Sequence, residues 1–408
     1  MRKHIRWLTV LTLIGIAAAP RVATAQSATD VPPFQSPPGG PEIAWPFGRP
    51  HPEQGGFYTG FEFMYWRQTN PLKSEPIGFR GVQDADGSIA TALGITPAFP
   101  GQWIGSKAVA LDTNYISGPQ NYQPGFNFTF GYRFESGLAV EMRWIHLFDV
   151  RYSATASLLP PTSIGGNAAE TFITSPVYNF SPPYFGPGNT TGQGSAIGLF
   201  GLWDGTDLQT ISFVQRFDLW EMTFRVPMQE SECWRTYGII GPRIVSMWER
   251  FTWTATHPEA DGTIPSIDVA NYTNVTSNRL YGVHGGVGNE WFLGDSPAGA
   301  FSLSLDLQAS IFFDFMKGLP KYELGDRSTA AQHARRLSAF VPEVEGQLNL
   351  WWYPIHGFVC RVGYEASAYF NTFSSPRPVD FNFGSITPAY ERTMRVFDGF
   401  NFGFGVQF

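Results

Sequence analysis

"FNFGFGVQF", Phe400–Phe408, is the stretch that decides the fold. Phe400, Phe402, Phe404, Val406 and Phe408 take the even positions; Asn401, Gly403, Gly405 and Gln407 take the odd ones. A period of two is the signature of an extended strand whose two faces meet different surroundings. The same alternation runs upstream. "GFYTGFEFMYW" (Gly56–Trp66) sets Phe57, Phe61, Phe63 and Tyr65 on one side, and "GFNFTFGYRF" (Gly125–Phe134) does so with Phe126, Phe128, Phe130, Tyr132 and Phe134. In "FSLSLDLQASIFF" (Phe301–Phe313), Leu303, Leu305, Leu307 and Ile311 oppose Ser302, Ser304, Asp306, Gln308 and Ser310, and Phe312 interrupts the polar face.

Ten segments carry this pattern: 56–67, 122–134, 137–152, 206–226, 233–254, 278–293, 299–315, 338–353, 357–372 and 394–408. Long connections follow the odd-numbered segments and short ones the even-numbered. With no helical period between them, the segments are expected to be antiparallel and joined as hairpins. Strands of a soluble sandwich are shorter, commonly five or six residues, and a sandwich gives no reason for long loops to gather at one end. In hydrocarbon, by contrast, a sheet spans only if it closes on itself, because each unpaired backbone group costs several kcal/mol. The reading is an all-β, closed antiparallel transmembrane barrel in an up-and-down meander, of about ten strands within a range of 8–14.

Composition agrees. Hydrophobic residues make up 43% and aromatic residues 16%, while charged residues reach only 15% against about a quarter in soluble domains. Mean hydropathy is nonetheless −0.13, so the apolar residues are dispersed by pattern. Leu8–Ala19, preceded by Arg2, Lys3 and Arg6 and followed by Ala23–Thr24–Ala25, reads as a secretory signal peptide over residues 1–25. Residues 26–55, with eight prolines, read as an extended periplasmic linker. Removing residues 1–25 takes four basic and no acidic side chains from 27 against 34, leaving a net charge of −11. Such a chain is a poor nucleic-acid binder. Cys233 and Cys360 are too few for a disulfide scaffold.

The faces are assigned by cost. An Arg or Lys at the membrane midplane costs ~2–4 kcal/mol and near the rim ~0–1. The apolar parity therefore faces lipid, and Glu62, Arg133, Glu141, Arg143, Arg235, Arg243, Glu249, Asp306, Glu343, Glu345, Arg361 and Glu365 face the lumen. Asp398 shares parity with Phe400 and is expected at the outer rim. The fourth segment, "LQTISFVQRFDLWEMTF", mixes its faces, which predicts a bulge near Gln215–Asp218. Trp234, Trp291, Trp351 and Trp352 are expected in the belt beside the short turns, and Trp66 and Trp253 in the belt toward the loops.

From Gly56 to Phe408 the chain resembles planctomycete outer-membrane barrels, which are similar to the Legionella pore-forming outer-membrane protein family. The stretches "GFYTGFEFMYWR", "SECWR" leading into "YGIIGPRI", "VPEVEGQLNL" and "NFGFGVQF" carry the resemblance. It implies a porin-like role in a Gram-negative envelope and brings no catalytic residues. Phe400, Phe402, Phe404, Val406 and Phe408 look like the assembly signal that hands such barrels to the insertion machinery. The first two loops, 68–121 and 153–205, are unusually long and leave room for further strands.

The lumen charges are expected to line a pore, giving passive diffusion of small hydrophilic solutes. A closed barrel, with its interior filled by salt bridges and a structural or adhesive role at the surface, stands as the alternative, because small barrels are packed inside. Partners are expected to be membrane lipids, lipopolysaccharide and the insertion machinery, with no nucleic acid. No metal or cofactor is expected: the seven histidines lack an HExxH pattern, "DADG" (Asp84–Gly87) is an incomplete calcium loop, and "GNTTGQG" (Gly188–Gly194) lacks a phosphate-loop lysine. The chain is not expected to be an enzyme. A barrel-lipase arrangement of His284, Asp306 and Ser304 is the catalytic possibility weighed, and no activated-nucleophile context surrounds it.

Overall fold

Alternating sequences become strands here because each strand buries one face only when it is flanked on both sides. The computed structural model of the chain describes residues 56–69, 74–84, 87–116, 122–157, 172–177, 202–203, 205–231, 233–256, 263–264, 266, 269–327, 330–355, 357–374 and 390–407. The signal-peptide and linker readings, "GNTTGQG" and Phe408 lie outside these residues.

Ten long strands run in chain order: β1 Gly56–Thr69, β2 Tyr122–Arg133, β3 Ala139–Ser157, β4 Leu208–Glu230, β5 Trp234–Thr256, β6 Val269–Ser296, β7 Gly299–Leu324, β8 Arg335–Ile355, β9 Phe358–Ser374 and β10 Glu391–Gln407. Each pairs antiparallel with its sequence neighbours, and β1 pairs with β10 from Tyr58↔Gln407 to Thr69↔Val396. The ten long strands close into a ring, so its wall leaves no strand edge starved of partners in lipid; outside the ring, Ala330–Gln332 adds a short strand to the outer end of β7. The expected fold is observed.

The strand ends joined by short links (Arg133 to Ala139, Glu230 to Trp234, Ser296 to Gly299, Ile355 to Phe358) lie at the end that also holds Gly56 and Gln407; the strand ends separated by long stretches of sequence lie at the other. By the convention of such barrels these are the periplasmic and outer ends. Outward residues form an apolar wall. Phe61, Phe63, Leu307, Ile311, Phe340, Val362, Phe400, Phe402 and Phe404 are exposed large hydrophobics, as lipid-facing side chains must be in a chain without its lipid. The wall includes the closing-strand face Phe400–Val406.

Two glycines explain the bare positions of the inner face. A Cβ at Gly403 would stand 2.4 Å from Glu62 Cγ, and one at Gly131 would stand 2.2 Å from the Tyr58 ring. Both leave space for a large inward side chain on β1.

Several expectations need correction. β4 keeps odd-numbered residues inward from Gln209 to Arg225 and shifts register only at Met228, beside the turn; the bulge near its middle lies instead in β3, between Leu147 and Val150, opposite Gln215–Phe217. The mixed faces of β4 arise because its inner face turns apolar (Phe217, Leu219) while its outer face leaves the bilayer (Arg216, Asp218). Trp66, Trp253 and Trp351 are not belt residues. Trp66 and Trp253 are buried in the lumen, and Trp351 donates inward to Ser304 Oγ at 2.8 Å. β6 and β7 extend outward to Val269 and Leu324, forming a hairpin longer than the sequence pattern suggested.

Among the described residues the two long loops contribute no strand to the ring. Pro76–Arg80, Val109–Asp112 and Ile173–Thr174 make a small separate sheet, and Val82–Asp84 pairs with Gln102–Ile104. Asp84 accepts the amides of Gly87 (3.0 Å) and Ala90 (2.8 Å), capping the short helix α1, Ser88–Ala92. Ile77, Leu111, Ile116, Ile173, Leu202 and Trp203 from the loops pack on Phe213, Phe251, Trp253, Tyr272 and Tyr322 from the strands. The Trp203 ring lies 4.2 Å from that of Trp253, tilted by 54°, and its Nε1 donates to Tyr322 Oη at 3.1 Å. These loop residues form a cap in the outer mouth.

Candidate functional site: the barrel interior

Every predicted lumen charge points inward and is buried: Glu62, Arg133, Glu141, Arg143, Arg235, Arg243, Glu249, Asp306, Glu343, Glu345, Arg361 and Glu365. Parity alone placed them, since the strand period leaves each residue one of two sides. The structure adds Glu221, Arg225, Glu290 and Arg395, which the sequence reading did not select. Glu221 was missed through the misjudged parity of β4.

These groups assemble into a layered interior. Nearest the turns, Arg225 bridges Glu141 (3.4 Å) and Asp306 (3.2 Å), Tyr237 Oη donates to Asp306 at 2.5 Å, and Arg235 pairs with Glu290. Arg361 pairs with Glu62 at 2.5 Å and donates to Asn349 at 2.9 Å. These residues line a small polar chamber of about 60 Å³.

Next comes a carboxylate-rich layer. Arg243 contacts Glu221 at 2.6 Å, Glu345 at 2.7 Å and Glu343 at 2.9 Å, and donates to Gln308 at 3.0 Å. Arg143 contacts Glu365 at 2.6 Å, Glu221 at 3.5 Å and Glu345 at 3.9 Å. Burial of charge this deep is tolerated only with such partners, because desolvation costs several kcal/mol per ion.

Above it lies an apolar septum. Met64, Trp66, Ile145, Leu147, Phe217, Leu219, Val245, Met247, Leu280, Phe312, Val341, Tyr369 and Phe397 form one buried cluster. Nine of the ten strands contribute to it, β2 being the exception. In a ring of ten, β4 and β9 stand opposite each other, yet Phe217 and Tyr369 have ring centroids 6.4 Å apart. Phe217 also lies 4.6 Å from Phe397. On its outer side Arg395 of β10 clasps Glu249 of β5, another opposed pair. Side chains from facing walls meet across the ring. Phe312, which breaks the polar face of its strand, was the legible sign of this layer; Met64 and Val341, on the inner parity of β1 and β8, were others.

The residues weighed for catalysis are not brought together. His284 Nε2 lies 3.1 Å from Thr223 Oγ1. Ser304 Oγ accepts from Asn349 (3.2 Å) and Trp351 (2.8 Å), while Asp306 is held by Tyr237 and Arg225.

No family model and no curated protein matches the chain. Solved structures that align with it include the outer membrane protease OmpT from Escherichia coli, at 8% identity over 88% of this chain and 98% of that one, with a TM-score of 0.36. A Pseudomonas aeruginosa FadL homologue aligns at 8% identity over 87% and 90%, with a TM-score of 0.22. The TodX monoaromatic hydrocarbon channel, as a deletion mutant, aligns at 6% identity over 87% and 90%, with a TM-score of 0.19. At such values no activity passes from these proteins to this chain. The closed ring with its apolar wall is the architecture of an outer-membrane β-barrel, and the chain's own coordinates carry that statement.

Proposed function

We propose that this outer-membrane barrel is closed to passive diffusion in its resting state and holds its loop cap at the cell surface, in a structural or adhesive role. The contact of Phe217 with Tyr369 across the ring, inside a cluster drawn from nine strands, carries the reading. A dry apolar layer blocks hydrated ions because each would shed its water shell to pass.

The polar chamber on the turn side favours a second reading, porin-like diffusion of small hydrophilic solutes, in which Glu62, Arg225, Asp306 and Arg361 line half of a path. That reading needs the septum to part. Planar-bilayer recording of the purified, full-length protein separates the two. Silence in preparations shown to be folded by heat-modifiable gel mobility supports the closed barrel, and steady current steps overturn it in favour of the pore.

Catalysis forms no part of this reading. Export through a cleaved leader, and delivery to the insertion machinery by the closing strand Phe400–Val406, belong to it. Kinship with planctomycete outer-membrane barrels also belongs to it.

A further inference from the structure

Basic side chains on the outside of the wall are divided unequally between the two ends. Toward the turns, Arg133, Arg225, Arg235 and Arg361 all face the lumen, and the exposed acids described there are Glu135 and Glu230. Toward the loops, Arg151 (β3), Arg216 (β4), Arg250 (β5), Arg279 (β6), Lys317 (β7) and Arg336 (β8) share the outward parity, all exposed except the half-buried Arg250.

Register joins them into a continuous row. Arg151 pairs with Val214, which pairs with Arg250; Arg216 pairs with Trp248; Ser246 pairs with Arg279; and Lys317 lies directly opposite Arg336. Trp248 lies under two guanidiniums, Arg216 at 5.6 Å and Arg250 at 5.5 Å. Arg216 is held by Asp149 at 2.7 and 2.8 Å. Among the described residues the other five cations have no ion pair. Asp218, the remaining nearby acid, is bonded to His146 at 2.6 Å. Immediately turnward the wall is apolar and exposed: Trp220, Ile244, Tyr281, Phe315 and Phe340. The row therefore stands where hydrocarbon gives way to headgroups.

Like charges set opposite each other across strands are destabilising, so a cationic row with five of its six charges outside any ion pair, in a chain of net charge −7, calls for an anionic partner. We propose that this rim binds the phosphate groups of anionic lipid headgroups in the outer leaflet, with Arg151, Arg216 and Arg250 around Trp248 as the seat. Guanidinium forks match phosphate oxygens bidentately, and the Trp248 face orders two of them before the lipid arrives, reducing the entropy lost on binding. The apolar wall beneath takes the acyl chains, which selects a lipid over free phosphate. The inference rests on the outer-membrane placement and is independent of whether the lumen conducts.

The test is native mass spectrometry of the full chain in detergent, titrated with a bisphosphorylated glucosamine glycolipid (lipid A) and with the same lipid stripped of phosphate. The native protein should bind the phosphorylated form at least about tenfold more tightly, a difference of ~1.4 kcal/mol. R151Q/R216Q/R250Q should lose that preference, while R392Q, on the far side of the ring, should keep it. Equal binding of the two lipids by the native chain, or an unchanged preference in the triple variant, overturns the proposal. Displacement by inorganic phosphate alone overturns the lipid assignment. Should the triple variant fail to fold, a salt series on the native chain decides: binding must weaken as ionic strength rises, and salt-independent binding refutes the site.

Discussion

Replacing Arg243 by Met tests whether the interior is dry. Arg243 is fully buried and touches three carboxylates: Glu221 at 2.6 Å, Glu345 at 2.7 Å and Glu343 at 2.9 Å. Met preserves much of the stem and removes the charge. Arg143 still reaches Glu221 (3.5 Å) and Glu345 (3.9 Å), so Glu343 is the group left without an ion pair. Stranding a buried charge in this way costs about 3–5 kcal/mol. Were the lumen a water-filled channel, the same pair would be solvated and worth only ~0–1 kcal/mol. Adding E343Q to R243M removes the stranded charge, and the two changes should show a coupling of about 1–3 kcal/mol. Urea unfolding in detergent micelles, followed by tryptophan fluorescence and by the gel mobility of unboiled samples, measures both quantities. A loss below about 1 kcal/mol for R243M with no coupling to E343Q would refute a dry interior.

Truncating the septum in F217A/F397A should create conductance in planar bilayers where the native chain is silent, at a stability cost of about 3–5 kcal/mol for each ring removed, less any coupling between them; a native chain conducting as well as the variant would count against the septum. Gly403→Val should impair closure of β1 on β10, because its Cβ meets Glu62 and the Phe61 carbonyl at 2.4 Å, whereas Gly346→Ala, whose nearest neighbour is Leu307 at 3.6 Å, should refold normally; the unboiled gel-shifted fraction reports both. Cys233, exposed in the turn between β4 and β5, should resist an impermeant maleimide on intact cells and react once the outer membrane is permeabilised. Labelling without permeabilisation would invert the assigned orientation.

The period of two was legible from end to end because a strand offers each residue one of two sides, and the charges that cannot face lipid name the side. That logic placed Glu62, Arg143, Arg243, Glu345 and Glu365 inward and Phe400–Val406 outward without any coordinates. It also supplied ten strands, since the alternation of short turns with long loops is written in chain order. It failed where the surroundings change along a strand. Phe217 and Leu219 look like lipid-facing residues, and Arg216 and Asp218 like lumen residues, because parity analysis assumes hydrocarbon outside and water inside along the whole length. Near the outer rim both assumptions reverse. The extra residue of β3 at Leu147–Val150 leaves no local mark, being defined by what β4 sets opposite it.

Sequence by itself determined the ten long strands, their order and, within the hydrocarbon span, the side their residues take, because those follow from local geometry and the cost of charge in lipid. Whether the lumen is open was decided only by tertiary structure. It depends on side chains of β4 and β9, or of β5 and β10, reaching each other across the ring, and no spacing along the chain encodes that distance. The cationic rim is of the same kind: six residues scattered from 151 to 336 become one surface only when register brings six strands side by side.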